Sequence, residues 1–361
     1  MPGTPAVNAL GRTVDLNRYF WLALCIYWVI FPAAYAQDCI QCGMIDTPAA
    51  PGSEWSFRTQ VNEVNVFFVA ARHGKLASDL VQNDITVVDD NKPAAAILGF
   101  RTERDLPLRV GLVIDTSDSV TGRFRFEQAA ASAFLSHALD RSGDLAFVLG
   151  FSDHPRLTQD FARDPDLLSE GVQQLVIGGG TALYDAVGVA CEKLRTHSEP
   201  DMVARILVVL SDGGNNSGTF DLNAAIDAAQ LAEAPVYAIS TNYAQTNYGY
   251  NPSAEKGDSN LRKLAQETGG RLLRPGGPKD VPKAFAKIVE ELRARYAVSY
   301  KPADFALDGH YRRIKIEARK NREKLLIRAR KGYYAREVRS GDVRLAETER
   351  SRSFPHSLQE H

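Results

Sequence analysis

Between residues 106 and 296 the sequence alternates short apolar runs with amphipathic helical patterns. No other feature constrains the fold as strongly. The runs are RVGLVID (109–115), DLAFVLGFS (144–152), ARILVVLSD (204–212), APVYAIST (234–241) and GRLLRPG (270–276). Several place Val, Ile and Leu at consecutive positions, so both strand faces are apolar. Such strands need cover on both sides, the condition met by a parallel sheet between helix layers. The helical patterns between them are RFRFEQAAASAFLSHAL, TALYDAVGVACEKL, NAAIDAAQLAE, SNLRKLAQETGG and DVPKAFAKIVEELRARY. The expected fold class is therefore α/β, a doubly wound and mostly parallel sheet.

The flanks read differently. In residues 57–104, Val64, Val66 and Phe68 alternate, as do Ile85 and Val87, and DDNKP marks a turn. Period-two alternation bounded by turn residues predicts a small β unit. Residues 297–336 carry strand patterns again, turned by LDGH and KNREK. Both segments flank the α/β region, so they are expected to pair into one small β domain. The basic residues of this stretch alternate with Ile314, Ile316 and Leu326, which predicts the solvated face of a sheet. Residues 337–361 are polar and aperiodic, and are expected to be a disordered tail.

At the N-terminus, Arg12 and Arg18 precede an apolar run over residues 19–30, then Pro32 and AAYAQ. This is the pattern of an export signal, residues 1–36, with cleavage after Ala36. An uncleaved anchor is the alternative, although the run is shorter than the roughly 20 apolar residues a spanning helix needs. Residues 37–56 read as a Pro- and Gly-containing linker. The expected location is secreted or periplasmic, with no membrane span after cleavage. In an oxidising compartment Cys39 and Cys42 could pair locally. Their Pro-rich surroundings do not suit a redox motif, and two cysteines are too few for structural zinc. Cys191, within a helical pattern, reads as a small buried apolar residue. The formal net charge is −1, which gives no bias toward nucleic acid or an anionic membrane.

The polar strand ends carry the chemistry. Asp115 ends its run, and Ser117 and Ser119 follow at every second position in DTSDSVTG. Ligands of open α/β sheets bind at the carboxyl ends of strands. One carboxylate and two hydroxyls form a hard oxygen set suited to Mg²⁺, with Mn²⁺ or Ca²⁺ as alternatives. Thr181 follows three glycines at a helix start, and Asp212 ends another run before two glycines. Asp115, Ser117, Ser119, Thr181 and Asp212 are thus expected to converge on one ion. The competing reading makes Ser119 and Thr181 helix caps and Asp212 a turn residue.

Asp-x-Ser-x-Ser, a downstream Gly-Thr at a helix start and a later Asp-Gly after a strand resemble the metal-ion-dependent adhesion site of von Willebrand factor type A domains. The resemblance covers residues 106 to about 296. The flanks resemble a bacterial group of related proteins first catalogued in Acidobacteria. Its leader pattern is matched by VNVFFVAARHGKLASDLVQNDITVVDDNKP, with Ile85 for an aromatic residue and Asn91 for a glycine. Its closing pattern is matched by YAVSYKP, YRRIKI and KGYY. The resemblance implies that Ser117, Ser119 and Thr181 contact the ion, and that Asp115 and Asp212 act largely through water. It also implies an open coordination position that a partner's Asp or Glu can fill.

Enzyme patterns fit poorly. A haloacid-dehalogenase-type phosphotransferase needs an Asp where Ser117 stands. A serine hydrolase needs a positioned His and often a Gly-x-Ser-x-Gly elbow, neither of which lies near Ser117 or Ser119. There is no dinucleotide fingerprint after the first strand and no Walker A sequence. The basic C-terminal strands lack the aromatic interleaving of a nucleic-acid binder. The expected function is an exported, non-enzymatic protein-binding module that docks an acidic group of another protein through Mg²⁺. The alternatives are a scaffold with a non-functional metal site, and a hydrolase using the ion and His154. Residues 242–258 are expected to form an inserted loop near the same edge, with Tyr243, Tyr248 and Tyr250 as a recognition rim or a variable surface.

Overall fold

The computed structural model describes residues 63–102, 106–139, 141–199, 203–243, 251–306 and 308–335. The expected leader, linker and tail lie outside the described residues. So do Tyr248 and Tyr250.

The first segment holds β1 (Val64–Arg72), β2 (Lys75–Leu76), β3 (Ile85–Asp89), β4 (Lys92–Pro93) and β5 (Ala96–Thr102). The α/β region follows with β6 (Leu108–Asp115), α1 (Phe124–Ala138), β7 (Leu145–Phe151), β8 (Pro155–Ala162), α2 (Pro165–Gln173) and α3 (Leu183–Thr196). It continues with β9 (Ala204–Ser211), α4 (Leu222–Leu231), β10 (Val236–Ser240), α5 (Pro252–Thr268), β11 (Arg271–Leu273) and α6 (Val281–Arg293). The last segment holds β12 (Arg295–Lys301), β13 (Tyr311–Lys320), β14 (Glu323–Lys324), β15 (Leu326–Ala329) and β16 (Gly332–Tyr334).

The central sheet has the order β11-β10-β9-β6-β7-β8. All its pairs are parallel except β7 with β8. Alternation along β6 divides its side chains between two cores. Val110, Leu112 and Ile114 face Phe134 of α1, Leu168 of α2 and Phe285 and Ile288 of α6. Val113 joins Phe147, Leu207 and Val209 against Leu183 and Val187 of α3, Ala225 of α4 and Leu261 of α5. Gly111 leaves room in this packing for two larger neighbours. A Cβ there would lie 2.7 Å from both Leu207 Cδ1 and Phe147 Cζ. The sheet is doubly wound, as its all-apolar strands require.

Three elements depart from the sequence reading. β8 is an antiparallel edge strand over PRLTQDFA, largely half-exposed, so its pattern carries no apolar run. α2 is a nine-residue helix that starts with Asp164 accepting the Asp166 N–H and with Pro165 in its first turn. α5 begins at Pro252, capped by Asn251, whose side chain accepts the N–H groups of Ser253 and Ala254. Residues 252–258 are therefore helix, where an inserted loop was expected.

The flanking strands form two antiparallel sheets, β15-β1-β12-β5 and β14-β13-β3-β4, with β16 paired to β13. Both segments contribute to each sheet: Phe68 of β1 lies opposite Tyr296 of β12, and Val87 of β3 opposite Ile316 of β13. Their apolar faces share one core of Val66, Phe68, Val87, Tyr296, Val298, Tyr300 and Ile316. The carboxylate of Asp89, 5% exposed, accepts the hydroxyls of Tyr300 at 2.7 Å and Tyr333 at 2.9 Å.

The basic residues divide into two sets. Lys315 and Lys324 are exposed beside Glu317, on the solvated face expected for them. Arg328 and Arg330 turn inward instead. Arg328 pairs with the buried Glu291 of α6, and Arg330 donates to the Asn65 carbonyl at 2.7 Å and pairs with Glu233. The correction has a simple cause: Arg328, in β15, and Arg330, just past it, face buried or half-buried partners rather than open water.

Asp89→Ala strips both tyrosines of their acceptor inside the β core. The expected cost is about 3 kcal/mol, because hydrogen bonds to charged groups are the strong ones and buried hydroxyls are left unmade. Asp89→Asn should lose less. Urea unfolding followed by circular dichroism measures both.

Candidate functional site

β6 and β9 are neighbours, and Ile114 lies opposite Leu210. The next residues, Asp115 and Ser211, therefore emerge side by side at the carboxyl edge. Asp115 is fully buried. One of its oxygens accepts the Ser117 N–H at 2.9 Å and the other accepts the Ser211 hydroxyl at 2.7 Å. Burial raises its pKa. The hydrogen bonds from Ser117 and Ser211 oppose that shift, and the nearby Asp212 adds to it.

The Asp115 contact curls the loop so that alternate hydroxyls meet. Ser117 Oγ lies 3.1 Å from Ser119 Oγ, and the Ser119 hydroxyl donates to Asp212 Oδ2 at 3.0 Å. Asp212 Oδ1 accepts the Gly214 N–H at 2.9 Å. Gly213 makes this turn possible. Its φ is +78°, and a Cβ there would lie 2.3 Å from the Gly257 carbonyl of α5.

Thr181 is buried on the adjoining loop. Its N–H donates to Asn216 Oδ1 at 2.7 Å, and its carbonyl accepts the N–H groups of Asn216 and Ser217. Among the described residues its hydroxyl has no partner. The same loop reaches the serines through Gly179, whose carbonyl accepts the Asp118 N–H at 3.3 Å. The structure thus links Asp115, Ser117, Ser119 and Asp212 by direct contacts and ties the Thr181 loop to them through the backbone. Ala182, rather than Thr181, stands at the helix cap. Ser119 lies within a short 3-10 turn and makes no cap bond.

Residues 110–215 match the family model of the von Willebrand factor type A domain. Over that stretch the chain is similar to the von Willebrand factor type A domain. Solved structures similar to it include the domain of the type V pili tip protein Mfa5 from Porphyromonas gingivalis. That likeness is at 15% identity and a TM-score of 0.41, over 51% of this chain and 94% of that one. Another is a von Willebrand factor type A protein from Catenulispora acidiphila, at 14% identity and a TM-score of 0.42, over 79% and 76%. A third is the PilB minor pilin from Streptococcus sanguinis, at 14% identity and a TM-score of 0.41, over 56% and 63%. No curated protein matches the chain.

Several residues that build this edge escaped the sequence reading. Asp153, just past β7, accepts the Gly180 N–H at 2.8 Å and the Ser217 hydroxyl at 3.2 Å. It is a strand-end carboxylate like Asp115, and that was its signal. Asn215 and Asn216 hold the start of α3 through the Tyr184 and Thr181 N–H groups. Arg123 donates to the Ser119 carbonyl at 2.7 Å and to the Thr241 hydroxyl at 3.0 Å, and lies 3.9 Å from Asp212 Oδ2.

Arg123 is itself held by Glu127, a fully buried carboxylate at 3.1 Å. Tyr243 donates its hydroxyl to the same Glu127 oxygen at 2.9 Å, while the other oxygen has no hydrogen-bond partner among the described residues. Tyr243 packs against the α1 and α6 core rather than standing on a rim. Glu127 was readable as the one acid on the apolar stripe of α1, three residues after Phe124 and four before Ala131.

Burial pushes the Glu127 pKa up to about 7; the Tyr243 hydrogen bond and Arg123 oppose the shift. The folded state then holds this proton more tightly than the unfolded chain does. The resulting stability is fully present below the unfolded value near 4.5 and is lost as pH rises through about 7. The loss amounts to about 3 kcal/mol. Glu127→Gln should flatten that decline, as read from urea midpoints across pH 4 to 8.

Proposed function

We propose that this chain is an exported, non-enzymatic protein-binding module that docks an Asp or Glu side chain of a partner protein through Mg²⁺ at the Asp115 edge. The observation that carries the reading is the run of oxygens from Ser117 through Ser119 to Asp212, spaced 3.1 and 3.0 Å apart. These separations are hydrogen-bond distances, so the contacts already hold the oxygens close enough together to share one small, hard cation. The unpartnered Thr181 hydroxyl suits the same ion. Among the described residues no three His, Cys, Asp or Glu side chains gather as a metal cluster. The donor set here is instead two carboxylates and three hydroxyls, Asp115, Ser117, Ser119, Thr181 and Asp212.

When bound, the ion supplies a Lewis-acidic position open to an incoming carboxylate. The chain's own residues set how strongly that position attracts it. Ser117, Ser119 and Thr181 offer neutral oxygens, which leave positive charge uncancelled. Asp115 is committed to Ser117 and Ser211, and it orients the loop from behind. Arg123 adds a fixed cation beside Asp212.

Export is proposed from the pattern of residues 1–36. No described helix is long and apolar enough to cross a membrane. The leader and closing motifs, which fall on β1 (Val64–Arg72) and β16 (Gly332–Tyr334), support a place in the bacterial group first catalogued in Acidobacteria. A hydrolase reading has less support. Among the described residues no histidine hydrogen-bonds a serine, threonine or cysteine side chain, and His154 stands exposed on the β7–β8 turn.

The scaffold reading draws on Arg123, which supplies Asp212 with a counterion already in place. Calorimetric titration of Mn²⁺ into the protein separates the two. The docking reading expects saturable binding, weakened about tenfold or more in Ser117→Ala and in Asp212→Ala. It also expects chelator to abolish partner contact without unfolding the chain. Absence of binding to the folded wild type establishes the scaffold reading instead.

A further inference from the structure

Beside the serine loop lies a cleft of about 380 Å³, within the range of about 300–1,000 Å³ that ligand pockets occupy. We propose that this cleft is a second docking subsite. It would take an apolar side chain of the same partner segment whose acid docks at the Asp115 edge, with Arg156 pairing a further acidic residue of that segment. The inference rests on the docking reading above and names the chemistry of its partner.

Position is the first argument. The cleft opens between the β7–β8 turn and the stretch Leu175–Gly178. Its inner wall includes Thr116, the residue between Asp115 and Ser117. The Thr116 N–H donates to the Phe151 carbonyl at 2.8 Å, and the Thr116 carbonyl accepts the Gly178 N–H at 2.9 Å. One short backbone segment therefore lines the cleft and presents the serine hydroxyls. A chain that places an acid at the hydroxyls must run past this opening or turn away from it.

The cleft is also held in shape. Asp153 bonds Gly180 and Ser217, so the turn on one side is tied to the Thr181 loop on the other. Leu175 is buried at its base. Little ordering remains for binding to impose, which favours affinity.

The lining states what would fit. Val176 is 67% exposed, the most exposed of the large hydrophobic residues described, and Ile177 stands beside it. An exposed apolar surface rimmed by polar groups marks an interaction site. Arg156 and His154 are exposed at the mouth, and no described side chain pairs with either. Asp153, the acid between them and the site, is engaged by Gly180 and Ser217. The lip therefore presents the unpaired Arg156 guanidinium over an apolar base. Its complement is an acidic segment with an exposed apolar side chain.

The test uses synthetic fluorescent peptides in Mg²⁺. A Gly-Ser peptide with one Asp is compared with peptides adding Leu or Phe one to four residues away, with and without a further Glu. Anisotropy titrations are run on the wild type, Val176→Asp and Arg156→Glu, each also titrated with Mn²⁺. In at least one register the apolar residue and the Glu should together tighten wild-type binding by roughly tenfold. Val176→Asp should erase the gain from Leu or Phe, and Arg156→Glu the gain from Glu. Mn²⁺ affinity should stay within about twofold in both variants, since neither touches the oxygen set. Equal binding of all peptides to a wild type that takes up Mn²⁺ overturns this inference alone, as does a gain that survives both substitutions. A wild type that takes up no Mn²⁺ overturns the docking reading and this inference with it.

Discussion

The Asp115 carboxylate accepts one hydrogen bond from the loop that follows it and one from the neighbouring strand. Both partners lie in a region where water cannot substitute for them, so their positions are tightly set. The first bond curls residues 116–119 and turns the two serine hydroxyls to the same side. The second locks the end of β6 to the end of β9, and with it the turn that carries Asp212. Ser119, Asp212 and Arg123 then take their places as consequences. An apolar residue at 115 would leave the strand intact and the loop without a director.

Much of the fold could be read in the sequence because its strands are apolar on both faces and end abruptly. The five runs of the central sheet, their wrapping helices and the pairing of the two flanking segments all follow from that contrast. The candidate oxygens stood out for the same reason, since each follows an apolar run or a glycine cluster. β8 and α2 were hidden because one is a half-exposed edge and the other is only nine residues long. The start of α5 was masked by composition: Asn and Pro read as loop residues, yet they are also a helix cap and its first turn. Glu127 was overlooked because a lone acid on a helix is usually solvated. Its burial goes with the hydroxyl of Tyr243, a partner 116 residues away that sequence distance conceals.

The carboxyl edge combines two kinds of polar group. Asp115, Asp153, Asn215 and Asn216 are spent on backbone N–H groups and fix the loops. The hydroxyls of Ser117, Ser119 and Thr181 are bound to side chains or to nothing, so they remain available. Arg123 sits between these sets, anchored by a buried acid on one side and facing Asp212 on the other. This division gives a rigid frame with labile contacts at its tip, the arrangement a binding site needs if ligand entry is not to cost much ordering.

The insertion of the α/β region between β5 and β12 also shapes how the chain is made. Among the described residues β1 has only the two-residue β2 as an early partner, and Phe68 waits for Tyr296. Among the described strands β5 likewise pairs only with β12. During synthesis the central sheet can close from its own local crossovers while these apolar N-terminal strands stand unpaired. The Asp115 edge can thus be complete before the flanking β sheets exist. The interval in which VNVFFVAA is uncovered is the time in which this chain is most open to aggregation, and it ends only when the last forty or so described residues arrive.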